Sequence, residues 1–399
     1  MWRRNPGRWF GCVPAAVAAM GLGACGCSAH PTQSLNSTPL RMATDAPAQA
    51  PSATVPQTCE AGDAEDCYRL ARQRESSGPP GAAASTSLFL RACRMGHPSS
   101  CDYAGLALAR GIGTAIDKEA AARVWERGCT LGDANACGNL GVCYERGRGI
   151  IPDEASATAS FRRACNRGGL SVWCLKAAHR LAQGIGVERN DAEAFSIYRS
   201  LCVRGDVSGC VSLGVFVRDG RVVPKDFNKA REIFEAACNV GSPLGCSNLG
   251  ALYALGWGVE RNDVKAAELY RQACQAGNTT ACRDLGRCYR DGRGVPHDPS
   301  QAVILLRRAC DARSGEACGN LGAMYARGNG VVKDEERALA LFRLGCELNG
   351  ASAFTELGVF TEKGILVPKD ELRAIELYRR GCELGDPEGC NRMPSAPSK

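Results

Sequence analysis

Residues 246–277, CSNLGALYALGWGVERNDVKAAELYRQACQAG, decide the fold of this chain. Leu249, Leu252 and Tyr253 fall at positions i, i+3 and i+4, and the same spacing returns after the Gly-Trp-Gly break. Residues so spaced lie on one face of an α-helix. The stretch therefore predicts two amphipathic helices, a first and a second helix, joined by a short glycine-containing turn.

The unit recurs along the chain with a period of 36 residues. One series of cysteines follows this period, with a single interval of 37, at Cys93, Cys129, Cys165, Cys202, Cys238, Cys274, Cys310, Cys346 and Cys382. A fixed period of this size is typical of repeat arrays in which each unit packs only on its neighbours. The sequence predicts an all-α fold, a right-handed α/α solenoid of about nine helical pairs over residues 58–392.

Recurring polar residues and glycines predict where the second helices begin and end. An aspartate stands at the expected N-cap as Asp117, Asp153, Asp191, Asp226, Asp263, Asp298, Asp334 and Asp370. A glycine three residues after the cysteine would end the second helix in a left-handed conformation, as Gly132, Gly168, Gly205, Gly241, Gly277 and Gly385.

The composition favours a modular, exported protein. The 399 residues include 47 Gly and 24 Cys but only 6% aromatic residues, which argues against one core filled by large side chains. The abundance of cysteine favours disulfides and an oxidising compartment. The formal net charge of +7 includes Arg3, Arg4 and Arg8 of a segment predicted to be removed, and the remaining +4 gives no case for nucleic-acid binding.

The N-terminus predicts the route of export. Residues 1–24 have the basic start and short apolar stretch of a signal peptide. They end in Leu-Gly-Ala before Cys25, which resembles a bacterial lipobox and implies acylation of that cysteine. We expect residues 25–57 to be a disordered tether rich in Pro, Ser and Ala, and residues 393–399 a disordered tail. The predicted location is the periplasm or outer membrane of a bacterium, with a lipid as the membrane anchor; ordinary secretion is the alternative.

The repeats resemble the Sel1-like repeat family, a relative of tetratricopeptide repeats with the pattern LGxxYxxGxGV. The match is clearest in LGVCYERGRGI (140–150), LGALYALGWGV (249–259), LGRCYRDGRGV (285–295) and LGAMYARGNGV (321–331). The pairs of cysteines eight residues apart resemble the Helicobacter cysteine-rich protein branch, in which each pair forms a disulfide. That resemblance implies Cys59–Cys67, Cys93–Cys101, Cys129–Cys137, Cys165–Cys174, Cys202–Cys210, Cys238–Cys246, Cys274–Cys282, Cys310–Cys318 and Cys382–Cys390.

Some positions depart from this pattern. Cys346 has no second cysteine, because Phe354 stands eight residues after it. Cys143 and Cys288 occupy a first-helix position that is apolar in other units, so we expect buried thiols there. The Pro- and Ser-rich first unit, residues 67–93, is expected to lack a regular first helix and to serve as an atypical cap.

A polar ladder on the first helices is the candidate binding site. It consists of Asn139, Ser212, Asn248, Asp284, Asn320 and Glu356, each two residues after the second cysteine position. Such side chains could hydrogen-bond the backbone of an extended peptide, and hydrogen bonding between repeats is an equally good interpretation. Arginines beside Asp284 or near the turns could receive a carboxylate terminus, and a solvated charged face is the alternative: Arg283, Arg287, Arg146, Arg148, Arg290 and Arg293. The predicted partner is therefore a protein or peptide.

The chemistry-bearing motifs favour binding over catalysis. No HExxH, GxSxG, SxxK or KTG motif occurs, and without a CxxC or clustered histidines we predict no metal and no cofactor. The resemblance to the cysteine-rich branch also implies a beta-lactamase or penicillin-binding alternative, for which catalytic residues are unknown. A purely structural envelope protein is the second alternative.

Overall fold

The computed structural model describes residue 59, residues 63–75 and residues 78–393. Within these residues there are nineteen α-helices and no strand, so the all-α prediction is confirmed. The chain divides into two compact units, of which one ends at Phe216 and the other begins at Val217. The predicted signal peptide, Cys25 with its acylation, the tether and residues 394–399 lie outside the described residues.

First and second helices alternate along the chain. The first helices are α1 (Ala64–Arg74), α3 (Pro98–Arg110), α5 (Ala134–Arg146), α7 (Ser171–Gln183), α9 (Val207–Asp219), α11 (Pro243–Leu255), α13 (Thr279–Asp291), α15 (Gly315–Arg327), α17 (Ala351–Lys363) and the short α19 (Pro387–Asn391). The second helices are α2 (Gly78–Arg94), α4 (Lys118–Leu131), α6 (Glu154–Asn166), α8 (Asp191–Val203), α10 (Phe227–Asn239), α12 (Asp263–Gln275), α14 (Pro299–Asp311), α16 (Glu335–Glu347) and α18 (Glu371–Glu383). Within each of the two compact units, helices that follow one another along the chain pack together, which is the nearest-neighbour arrangement of a repeat array.

Most of the predicted N-caps are confirmed, and two are wrong. Side chains cap the second helix at Asp117, Asp153, Asp226, Asp298, Asp334 and Asp370. Asp191 and Asp263 are instead the first residues of α8 and α12, which Asn190 and Asn262 cap. An asparagine oxygen accepts from the same backbone N–H groups, and the adjacent carboxylate then lies in the positive first turn of the helix.

The two glycines of the turn inside a repeat have a packing role. Gly147 and Gly149 have φ values of 63° and 73°, in the left-handed region that glycine adopts without strain. A Cβ on Gly149 would lie 2.1 Å from the carbonyl oxygen of Lys118, at the start of the preceding second helix. The second glycine therefore permits backbone contact between consecutive repeats.

The first unit does contain a first helix, so the expectation of an irregular one is wrong. Asp63 caps α1 by accepting hydrogen bonds from the backbone N–H groups of Glu65 and Asp66. Leu70 and Ala71 of this helix are buried. The proline- and serine-rich composition falls mainly after α1, and therefore does not prevent a capped helix with an apolar face.

The nine disulfides implied by the family resemblance are present in the described part of the chain. Eight of them join a second helix to the next first helix, and Cys59–Cys67 ties α1 to the chain before it; the Cα–Cα distances are 4.4–4.8 Å. Closing a loop of about nine residues contributes about 2.6 kcal/mol in the chain-entropy model. These bonds indicate an oxidising, extracytoplasmic compartment. Cys143 and Cys288 are buried, as expected of apolar positions.

Candidate binding groove

Asn248, on α11, links two consecutive first helices. Its Nδ2 donates to the carbonyl oxygen of Leu244 in its own helix at 2.9 Å, and its Oδ1 accepts from Nη1 of Arg218 at 3.1 Å. Arg218 lies on α9 and donates its other N–H groups to Asp219 at 2.7 and 3.1 Å. The amide of Asn248 is therefore already used in packing one repeat on the next.

Asn320, on α15, repeats this arrangement. Its Nδ2 donates to the carbonyl oxygen of Glu316 at 2.7 Å, and its Oδ1 accepts from Nη1 of Arg290 at 2.8 Å. Arg290 lies on α13 and makes a two-pronged contact with Asp291 at 2.7 and 3.1 Å. Both asparagines thus form hydrogen bonds between repeats, as one of the two interpretations of the ladder predicts.

These inter-repeat polar contacts have a sequence signal that our sequence analysis missed. The same Arg-Asp-Gly stands at residues 218–220 and 290–292, with the arginine 30 residues before its asparagine. Other junctions place an ion pair at the equivalent positions: Glu145 with Lys176 at 2.8 Å, and Glu362 with Arg392 at 3.7 Å. At these four junctions the ladder position is therefore paired with the same position, the last but one residue, of the preceding first helix.

Two further ladder residues, in the unit that ends at Phe216, also have partners within the fold. Asn139 donates from Nδ2 to Oδ1 of Asp102 at 2.7 Å. Burial, which leaves Asp102 8% exposed, raises the pKa of its carboxyl to about 6. Ser212 donates to the carbonyl oxygen of Ser208 in its own helix at 2.9 Å. Neither side chain lies in a groove of the size described next.

A groove of about 470 Å³ lies on α13, α15 and α17 and on the turn before α19. Its lining includes the small residues Gly319, Ala323 and Ser352 and the charged residues Arg287 and Arg327. Consecutive first helices thus provide a recess with a small-residue floor and charged edges.

The ladder residues of this region lie in or beside the groove. Asn320 and Glu356 line it, and Asp284 lies beside it, paired with Arg283 at 2.9 Å. Glu356 accepts from Arg327 at 2.5 Å, and burial raises the pKa of its carboxyl. The structure therefore brings the C-terminal part of the predicted ladder together with three of the six candidate arginines, Arg283, Arg287 and Arg290.

Ala351 and Ser352 of the groove lining follow the turn between α16 and α17, where no disulfide joins the two helices. The Glu316 carboxylate instead accepts from the backbone N–H of Ala351 and from Oγ of Ser352, the latter at 3.0 Å. A Cβ on Gly350 would lie 2.3 Å from the carbonyl carbon of Gly315. Close backbone contact and a carboxylate cap therefore connect α15 to α17 directly.

The described residues contain no group of three or more His, Cys, Asp or Glu side chains that could hold a metal ion. Burial raises the pKa of Cys288 to about 11 and that of Cys346 to about 12, so both are protonated thiols near neutral pH.

Among the residues that the structure describes, no helix is both long and apolar enough to span a membrane.

Comparison with known proteins places the chain among repeat proteins. The Sel1 repeat model matches residues 134–169, 174–206, 207–242, 243–278, 279–314, 315–350 and 352–386, more than half of the chain. The solved structure of c5321, a protective antigen of uropathogenic Escherichia coli with an SLR fold, is 23% identical, with a TM-score of 0.53 over 82% of this chain and 78% of its own. That likeness shows a shared fold.

Two further solved structures are similar. A Sel1 repeat protein of Oxalobacter formigenes is 23% identical, with a TM-score of 0.48, over 76% of this chain and 88% of its own. Cysteine-rich protein B of Helicobacter pylori is 30% identical, with a TM-score of 0.27, over 34% of this chain and 96% of its own. Among functionally curated proteins, none matches.

Proposed function

Because the chain belongs to the Sel1 repeat family, we propose that it is an exported scaffold that binds a protein partner through an extended peptide segment. The observation that carries this proposal is the groove on α13, α15 and α17. Consecutive repeats offer a continuous surface to an extended chain, as in other helical repeat proteins.

The floor of the groove supports a peptide as the ligand. Gly319, Ala323 and Ser352 leave room for a backbone to approach the helices closely. A Cβ on Gly319 would lie 2.6 Å from Oγ of Ser352, so a larger residue at position 319 would not fit without rearrangement. Polar and apolar atoms both line the groove, which suits the mixed character of a peptide backbone and its side chains.

A pair of matched tryptophan substitutions tests this function. Ser352→Trp places a large ring in the groove. Thr280→Trp makes the same change at the equivalent position of α13, and Thr280 does not line the groove. We expect Ser352→Trp to reduce retention of a random nonapeptide library on the immobilised mature protein, and Thr280→Trp to leave retention unchanged. Equal retention by both variants and the wild type would refute the groove as the site.

Within the ladder, we propose Asn320 and Glu356 as the peptide-contacting residues. Both line the groove. The contacts of Asn139, Ser212 and Asn248 described above support a packing role for those three. Asn320→Ala should therefore weaken peptide retention, whereas Asn248→Ala, which breaks the equivalent inter-repeat polar contact outside the groove lining, should leave retention intact.

We further propose that a lipid on Cys25 anchors the protein to a bacterial membrane. The proposal rests on Leu22, Gly23 and Ala24 before that cysteine and on the disulfides that indicate an extracytoplasmic compartment. Cys25→Ala should move the protein from the membrane fraction to the soluble fraction. A wild-type protein that is already soluble and carries no lipid would refute the anchor but not the binding function.

A further inference from the structure

The four arginines that line the groove fall into two classes. Most guanidinium nitrogens of Arg283 and Arg290 already donate hydrogen bonds to residues of the fold. Arg283 donates from Nε and Nη2 to Asp284 at 3.0 and 2.9 Å, and its side chain is 11% exposed. Arg290 bonds Asp291 through Nε and Nη2 and Asn320 through Nη1. These two guanidinium groups stabilise the repeats and have little donor capacity for a ligand.

The guanidinium groups of Arg287 and Arg327 have fewer partners within the fold. The shortest distance from Arg287 to a carboxylate is 3.8 Å, from Nη1 to Asp284, and its side chain is 43% exposed. Arg327 donates through Nη2 to Glu356 and is 61% exposed. A guanidinium group has five N–H donors. The two arginines, on α13 and α15, therefore offer donors to a ligand in the groove.

The acidic groups that line the groove are already paired. Glu316 accepts from Ala351 and Ser352. Asp386 caps α19 by accepting from the backbone N–H of Gly389 at 3.3 Å, and Glu388 pairs with Arg392 at 2.9 Å. Each of these carboxylates therefore has a partner within the protein, whereas among the described residues Arg287 has no carboxylate oxygen nearer than 3.8 Å.

We propose that the groove selects a peptide segment by a carboxylate held between Arg287 and Arg327. This inference rests on the peptide-binding function proposed above. Arginine matches a carboxylate in geometry, since two parallel N–H groups meet two oxygens. The small floor accommodates the backbone that carries the acidic group. A phosphate is a poorer match, because its second negative charge would lie near Asp284 and Glu356.

The lining charges also exclude a nucleic-acid ligand. Four arginines face Glu316, Glu356, Asp386 and Glu388, so the groove carries no large net charge. Nucleic-acid sites need a basic surface that follows many phosphates. Recognition here is instead local and is decided by one anionic group of the ligand.

A positional-scanning nonapeptide library, in which one position at a time is held constant, tests the proposal on the immobilised mature protein. Each set is prepared with a free and with an amidated C-terminus and includes Glu, Gln and phosphoserine. We expect the Glu set to be retained about tenfold more than the Gln set at one position, or every set with a free C-terminus to be retained about tenfold more than its amidated counterpart. An internal preference that survives amidation identifies a side-chain carboxylate, and one lost on amidation identifies the chain terminus.

Substitutions connect the preference to the groove. Arg287→Gln and Arg327→Gln should each reduce the Glu set to the level of the Gln set. Arg146→Gln is the matched control, because Arg146 ends α5 as Arg327 ends α15 but lies outside the groove. Melting curves of all variants show whether each is folded.

Each result decides between the two proposals. Library retention that Ser352→Trp abolishes, without any preference for carboxylate, overturns the selectivity proposed here and leaves the peptide-binding function standing. A preference for phosphoserine over Glu also overturns it. The absence of any retention by the wild type overturns both, and a preference that survives Arg287→Gln and Arg327→Gln shows that the carboxylate binds elsewhere.

Discussion

Phe354→Cys should restore the disulfide that the junction of α16 and α17 lacks. The turn keeps the backbone hydrogen bonds of the cross-linked turns: Gly350 N donates to Gly345 O at 2.8 Å, and Phe354 N to Gly350 O at 3.3 Å. The corresponding bonds between α18 and α19 measure 2.9 and 3.2 Å. A cysteine at position 354 should therefore lie near Cys346 at the 4.4–4.8 Å Cα separation of the nine existing pairs.

The expected gain is set by the loop and by the lost ring. Closing a loop of about nine residues stabilises the folded state by about 2.6 kcal/mol in the chain-entropy model. Removing the half-buried Phe354 ring costs about 1 kcal/mol of apolar burial. Under oxidising conditions the net increase in the free energy of unfolding should therefore be about 1.5 kcal/mol, because little beyond local and neighbour interactions stabilises a repeat array.

Peptide mapping without reductant should identify a new bond between Cys346 and the introduced cysteine, and urea unfolding should give the stability. Phe354→Ser is the control, since it loses the ring but cannot form the cross-link. After oxidation, the free energy of unfolding of Phe354→Cys should exceed that of Phe354→Ser by about 2.6 kcal/mol. When the new bond is not formed but the nine native disulfides are intact, the two values should agree within about 0.5 kcal/mol, the scatter of ordinary surface changes. A bond that forms without this difference, or a cysteine that stays reduced, would refute the proposed equivalence of the turns.

Three other changes probe the packing. Asp102 faces Asn139, Asp133 and Trp125, and burial raises the pKa of its carboxyl, so the folded state binds the proton more tightly than the unfolded state does. The free energy of unfolding should therefore fall as pH rises from about 4 to 6. Asp102→Asn should remove up to about 3 kcal/mol of that fall, measured by urea unfolding at each pH. Val222 has a φ of 71°, so Val222→Gly should raise the free energy of unfolding by about 1 kcal/mol, whereas Val332→Gly, without a positive φ, should lower it. Asn320→Ala leaves Nη1 of Arg290 without its acceptor and should cost about 1–2 kcal/mol, and Asn320→Asp, which keeps an acceptor, should cost less in the same assay.

The sequence alone determined the repeat and its two helices, and its resemblance to the cysteine-rich branch implied the disulfides; each of these features depends on short distances along the chain. The i, i+3, i+4 spacing selects a helix, and a cysteine pair eight residues apart spans a single turn. Predictions at the level of one residue were less certain: Asp191 and Asp263 lie one position inside their helices because Asn190 and Asn262 can cap equally well.

Only the tertiary structure decided what the polar ladder does. Asn248 and Asn320 hold the same ladder position and each bonds an arginine 30 residues earlier in the chain, but of the two only Asn320 lines the groove. Similarly, Arg283 and Arg287 are four residues apart on one helix, but the first is buried against Asp284 and the second is exposed. Whether a polar side chain remains available for a ligand depends on which donors and acceptors neighbouring repeats bring within about 3 Å, and no local pattern of residues specifies that distance.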